Sequence, residues 1–196
     1  NNLSSSKNSV GITMLSSSNI HFNRCCFEKN RTVVNPIAGR TYTGLFLSNI
    51  TGGFTDVKEC YFADNEVSAP VNNVEGNFNL ALIGGGNGDA GMVLNSSFVS
   101  NRVFWADNGM STVYASRGVF TSGGDYGQRA IVNCAFVGPG DDVYDVLQYG
   151  NSHKYITRVH NSIFVRTGEK RNPFYFGTPT KFSVYNTSIA NFVNVP

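Results

Sequence analysis

Apolar and polar positions along this 196-residue chain recur in one short pattern, found six times. The copies are Asn23-Arg-Cys-Cys-Phe27, Lys58-Glu-Cys-Tyr-Phe62, Leu94-Asn-Ser-Ser-Phe98, Val132-Asn-Cys-Ala-Phe136, His160-Asn-Ser-Ile-Phe164 and Tyr185-Asn-Thr-Ser-Ile189. Aligned on the last residue of each copy, one column holds only large apolar residues: Phe27, Phe62, Phe98, Phe136, Phe164 and Ile189. Five places earlier a second apolar column reads Phe22, Val57, Val93, Ile131, Val159 and Val184. Two places earlier the residues are small: Cys25, Cys60, Ser96, Cys134, Ser162 and Thr187. Three places earlier the last four copies carry Asn95, Asn133, Asn161 and Asn186, where the first two have Arg24 and Glu59. Asn30, Asn65 and Asn101 stand three places after the first three Phe residues. Asn tolerates a left-handed backbone and can bond to an identical amide above or below, so these positions predict bends lined by asparagine ladders.

The aligned positions lie 35, 36, 38, 28 and 25 residues apart, so a constant unit is joined by connections of varying length, as in a solenoid. A further apolar stretch precedes each copy, near Ile12-Met14, Leu45-Leu47, Leu80-Ile83, Thr112-Ala115, Val143-Leu147 and Phe174-Phe176, which predicts three strands per unit. Such a unit resembles one coil of the right-handed parallel β-helix of the pectate-lyase-like superfamily, in its polymorphic-repeat or polysaccharide-lyase form, over essentially the whole chain. The resemblance implies an all-β solenoid of about six three-stranded coils. It forms a single domain over residues 1–196, with loops at 30–43, 65–79 and 101–111 projecting from one edge. Like residues would then pile up at the roughly 4.8 Å spacing of a parallel ladder, with stacked Phe rings filling the interior.

Composition agrees and removes several classes. Gly, Asn, Phe and Tyr are frequent and charged residues make up only 14%, below the roughly 25% of average soluble chains, which disfavours disorder and coiled coil. A net charge of +2 with no basic run longer than Lys170-Arg171 gives no footprint for nucleic acid or an anionic membrane. No apolar run reaches the 18 or so residues of a membrane-spanning helix. The opening Asn1-Asn2-Leu3-Ser4 has no signal-peptide core, which predicts a piece of a longer chain or assembly. Sequons occur at Asn2, Asn30, Asn49, Asn95 and Asn186, close to the roughly four expected by chance from this composition. The interchange of Cys with Ser and Thr in one column predicts buried, reduced thiols rather than a disulfide framework, and the spacing of a zinc site is lacking.

Candidate chemistry concentrates in Gly138-Pro-Gly-Asp141-Asp142-Val-Tyr-Asp145 and in Gly150-Asn-Ser-His153-Lys154. The order Asp142-Val-Tyr-Asp145, Tyr155-Ile-Thr, Asn161-Ser-Ile-Phe164, Lys170 and Gly177 is similar to that of pectate lyases. That resemblance implies calcium carboxylates at Asp142 and Asp145 and a uronate contact at Lys170. The family's downstream basic motif, with its proton-abstracting Arg, has no counterpart. Gly140-Asp141-Asp142 also resembles the paired Asp of polygalacturonase-like hydrolases, which would place acid and base at Asp141 and Asp142, but the partner motifs of that family are missing. His21 and His160 flank inward columns and are expected to face solvent, and Gly84-Gly-Gly-Asn-Gly88 lacks the Lys-Ser/Thr of a phosphate loop. Phe46, Tyr114 and Tyr175 are expected to form an intermittent aromatic line beside Asp145 that stacks against sugars.

The repeat is complete and every catalytic motif is fragmentary. The leading expectation is a non-catalytic surface or extracellular solenoid with an adhesive, carbohydrate-binding or scaffolding role. The alternatives are a polysaccharide lyase or glycoside hydrolase acting on uronic-acid glycans, and an intracellular component of a filament or cytoskeletal assembly. A glycan or neighbouring protein subunits are the expected partners, with end-to-end association through uncapped ends. No cofactor is expected, and calcium is the one ion the resemblance admits, bound weakly at most.

Overall fold

The computed structural model describes residues 12–15, 20–33, 42–49, 55–69, 77–85, 91–105, 114–122, 129–138, 145–149, 157–166, 174–176 and 182–190. Their secondary structure consists of strands joined by bends, without a helix among the described residues. One sheet joins β1 (Ile12–Leu15), β5 (Tyr42–Asn49), β9 (Asn77–Gly85), β13 (Tyr114–Ser122), β16 (Asp145–Tyr149) and β19 (Phe174–Phe176). A second joins β2 (Ile20–Asn23), β6 (Thr55–Lys58), β10 (Gly91–Leu94), β14 (Arg129–Val132), β17 (Thr157–His160) and β20 (Phe182–Tyr185). A third joins β3 (Cys26–Glu28), β7 (Tyr61–Ala63), β11 (Ser97–Val99), β15 (Ala135–Gly138), β18 (Ile163–Arg166) and β21 (Ser188–Ala190). Neighbours in each sheet are parallel and come from successive repeats, an arrangement compatible with a parallel β-helix-like solenoid.

The register pairs the columns read from the sequence. Phe62 pairs with Phe98, Phe98 with Phe136 and Phe136 with Phe164 in the third sheet, while Val57, Val93, Ile131 and Val159 follow one another in the second. These residues are the core: Phe62, Phe164, Ile131 and Val159 are fully buried. Ring centroids from Phe27 to Phe164 repeat at 4.7 to 4.8 Å. The interplanar angle falls along the stack from 23° to 2°. Isolated aromatic pairs favour offset or edge-to-face contacts, so the near-parallel stack reflects the rise of the strand ladder. Phe22, at the base of the second column, meets Phe27 edge-on at 5.5 Å and 88°.

The bend between the second and third sheets is left-handed in every repeat. Arg24, Glu59, Asn95, Asn133, Asn161 and Asn186 have φ between 47° and 55°. That accounts for Asn in four copies, because its short polar side chain accepts this conformation more readily than other non-glycine residues. The ladder nevertheless continues through the bend, with the amide of Asn95 donating to Val132 O at 3.0 Å and that of Asn133 to His160 O at 3.1 Å.

Two expectations from the sequence need correction. Strand β13 runs from Tyr114 to Ser122 rather than over Thr112-Ala115, and Phe120, not Ala115, pairs with Ile83. The reason is spacing: Phe46 precedes Phe62 by the same 16 residues that separate Phe120 from Phe136, so the chain length to the bend fixes the strand. Residues placed in loops at 30–43, 65–79 and 101–111 also contain strands β4 (Arg31–Val33), β8 (Glu66–Ala69) and β12 (Arg102–Trp105), which form a fourth, three-stranded parallel sheet. It has an interior of its own, with Val67 fully buried between Thr32 and Val103. A second left-handed bend, at Lys29, Asp64 and Ser100, leads into it.

Replacing Phe98 or Phe136 by Ala removes a ring stacked on both faces and should destabilise the fold by about 3–5 kcal/mol. Chemical denaturation of both variants measures this, and losses near zero at the two sites would contradict the stacked column.

Candidate functional site

The small column carries hydrogen bonds that the sequence did not reveal. Ser96 Oγ donates to Leu94 O and Ser162 Oγ to His160 O, both at 2.8 Å, each two residues back across the left-handed bend. The same oxygens accept from the repeat before: Cys60 N donates to Ser96 Oγ at 3.0 Å and Cys134 N to Ser162 Oγ at 3.2 Å. Cys60 and Cys134 Sγ make the local bond to Lys58 O and Val132 O at 3.2 Å. Ser, Thr and Cys interchange here because each offers a small donor that also accepts. All four cysteines are free thiols. Burial pushes the Cys134 thiol up to about 11, and that of Cys60 upward as well.

The three asparagines after the Phe residues form a second continuous ladder. Asn30 Nδ2 donates to Asn65 Oδ1 at 2.9 Å and Asn65 Nδ2 to Asn101 Oδ1 at 2.8 Å. Asn65 and Asn101 also donate to Phe27 O and Phe62 O, and both are buried. Each amide therefore closes the turn from the third sheet into the fourth. Just beyond, Glu66 sits between two cations, with Arg31 Nε 2.8 Å from Oε1 and Arg102 3.9 Å from Oε2. The Arg31 contact is ionic, since Oε1 accepts no aligned hydrogen bond.

The outer face of the second and third sheets changes character along the molecule. In the first two repeats it is charged and paired: His21 Nδ1 lies 3.1 Å from Asp56 Oδ2, and Arg24 Nε donates to Glu59 at 2.7 Å. The hydrogen bond from Arg24 holds the Glu59 carboxyl below its ordinary range, though an exposed pair of this kind stabilises little. From the third repeat onward the strands of these sheets contain no carboxylate. Exposed Met92, Ile163 and Tyr185 stand there with half-buried Leu94, Val132, Val137 and Val165. A row of exposed amides, Asn95, Asn133, Asn161 and Asn186, runs along the bend between the sheets, and Asn133 Nδ2 donates to Asn95 Oδ1 at 3.0 Å. His160 tilts its ring against Tyr185 at 4.9 Å.

Of the residues proposed from the sequence, Asp141, Asp142, Lys170 and His153 lie outside the described residues. Asp145 opens β16 and pairs with Gly118. Phe46, Tyr114 and Tyr175 all lie on strands of the first sheet, but at three ladder positions: Phe46 pairs with Ile83, Tyr114 with Asn77 and Tyr175 with Gln148. They do not share a column. No group of three His, Cys, Asp or Glu suited to a metal occurs among the described residues. Among them, too, no helix is long and apolar enough to cross a membrane. Comparison of the chain with protein-family models, with curated proteins and with solved structures yields no match.

Two outcomes are expected. Since the Cys134 thiol of the folded state ionises only near pH 11, against about 9 when exposed, its contribution to stability is complete below pH 9 and lost as pH rises through 11. Alkylation at pH 8 followed by mass spectrometry should accordingly label exposed Cys26 well before Cys134, and equal rates would contradict the packing. Asn65→Leu leaves the buried Phe27 carbonyl and the Asn30 amide without partners and should cost roughly 2–4 kcal/mol in denaturation, more than the same change at exposed Asn186.

Proposed function

We propose that this chain is a non-catalytic scaffold: a right-handed parallel β-helix of about six coils, of the pectate-lyase-like type, that acts by presenting flat sheet faces to a partner. The surface of a cell or the extracellular space is the setting that suits such a part. The observation supporting this reading is the commitment of polar side chains to the repeat itself. Asn65 and Asn101 bond up and down the ladder, Ser96 and Ser162 bridge adjacent repeats, and Glu66 is held between Arg31 and Arg102. Groups that would supply acid, base or nucleophile in an enzyme are here occupied in holding one repeat on the next. The remaining outer surface is a regular array of amides and apolar side chains, which suits contact rather than bond cleavage.

The test is incubation of the protein with polygalacturonate, with and without calcium, while following the absorbance of unsaturated uronates and the release of reducing ends. Both signals should stay at the level of the blank. Turnover that disappears in Asp142→Ala or Lys170→Ala would establish a lyase and overturn the scaffold reading.

A further inference from the structure

Extending the scaffold reading, on which this step rests, we infer that the outer face of the second and third sheets, over the third to sixth repeats, is a pairing surface for a second copy of this chain. Its apolar side chains remain open to solvent: Ile163 is 48% exposed, Tyr185 57% and Met92 38%. The cations of these strands, Arg129, Arg158 and Arg166, occupy the first two or the last positions, at the two margins farthest from the bend. The middle of the face is therefore free of charge and its margins are basic, the distribution of an interface core and rim.

Two features select a second copy over other occupants. The amide row of Asn95, Asn133, Asn161 and Asn186 rises with the strand ladder, whose neighbouring rings stand 4.7 to 4.8 Å apart. Each amide both donates and accepts, so the row is complementary to an identical row with the same rise. The area also fits. Four strands at about 4.8 Å and two short strands with their bend, about 25 Å across, give roughly 500 Å² per copy, near the roughly 1,000 Å² total at which specific interfaces begin. A face of that size supports a reversible dimer rather than an obligate one. The charged first two repeats, whose ions are satisfied by Arg24–Glu59 and His21–Asp56 contacts within the chain, stand outside it.

Sedimentation equilibrium across a concentration series tests this with the intact chain. A monomer–dimer equilibrium that stops at two is expected, weakened at least tenfold in Ile163→Lys and in Tyr185→Lys and unchanged in Asp64→Asn, which lies at the other bend. Circular dichroism of each variant should match the parent, and because both sites are exposed a variant that misfolds is replaced by Ile163→Ser. A strict monomer at high concentration, a dimer indifferent to both lysine substitutions, or growth beyond two by end-to-end stacking would each overturn the pairing surface. Binding of the monomer to polygalacturonate that Ile163→Lys abolishes would do so as well, by giving the face another occupant. None of these outcomes alters the polyuronate turnover assay, so failure of the pairing is separable from failure of the scaffold reading.

Discussion

The rise of the parallel ladder governs everything else in this molecule. Once successive repeats are held about 4.8 Å apart by backbone hydrogen bonds, every side chain has its counterpart in the next repeat as its nearest neighbour. A residue type succeeds only if it can sit on a copy of itself. Phe meets this condition by stacking: the ring planes between Phe98, Phe136 and Phe164 differ by 2° to 3°. Val and Ile meet it in the second sheet by their branched shape, with Val57, Val93, Ile131 and Val159 nearly or fully buried.

The same condition sorts the polar residues. A group that only donates or only accepts cannot stack on itself, whereas an amide or hydroxyl does both. Hence Asn occupies the buried ladder from Asn30 to Asn101, and Ser, Cys and Thr occupy the column behind the bend. Where charge enters a column it alternates in sign, as in Arg31, Glu66 and Arg102 or in Arg24 and Glu59. Like charges at this spacing would repel, so the sign pattern follows from the ladder rather than from any ligand.

This logic also explains what could be read from the chain. The columns ending at Phe27, Phe62, Phe98, Phe136 and Phe164 were legible because strand, bend and strand keep a constant length around them. The first-sheet strand Tyr114–Ser122 was not, because Thr112-Ala115 is as apolar as the true stretch and only the constant distance to Phe136 distinguishes them. The hydroxyl and thiol bonds of the small column were invisible because smallness and hydrogen bonding select the same residues. The Asp141 to Asp145 cluster and Lys170 carried chemistry in their residue types but belong to no column of the repeat. Periodicity therefore says nothing of their surroundings, and only Asp145 has a place in the ladder.

The fourth sheet had a signal that went unused. The intervals that follow Phe27, Phe62 and Phe98 are 35, 36 and 38 residues, whereas those that follow Phe136 and Phe164 are 28 and 25. The longer intervals are the ones with Asn three places after the Phe and with strands β4, β8 and β12 next in the chain. In the shorter ones that place holds Pro139 and Thr167. Proline has neither an amide side chain nor a backbone N–H, so it cannot pass the ladder of Asn101 onward. Interval length and the asparagine therefore report one event, the addition of a strand with its own buried column at Val67. The charged pairs of the first repeats lie on the four-stranded side of that boundary and most of the uncharged amide row on the other. The change in wall construction and the change in surface chemistry thus nearly coincide along the chain.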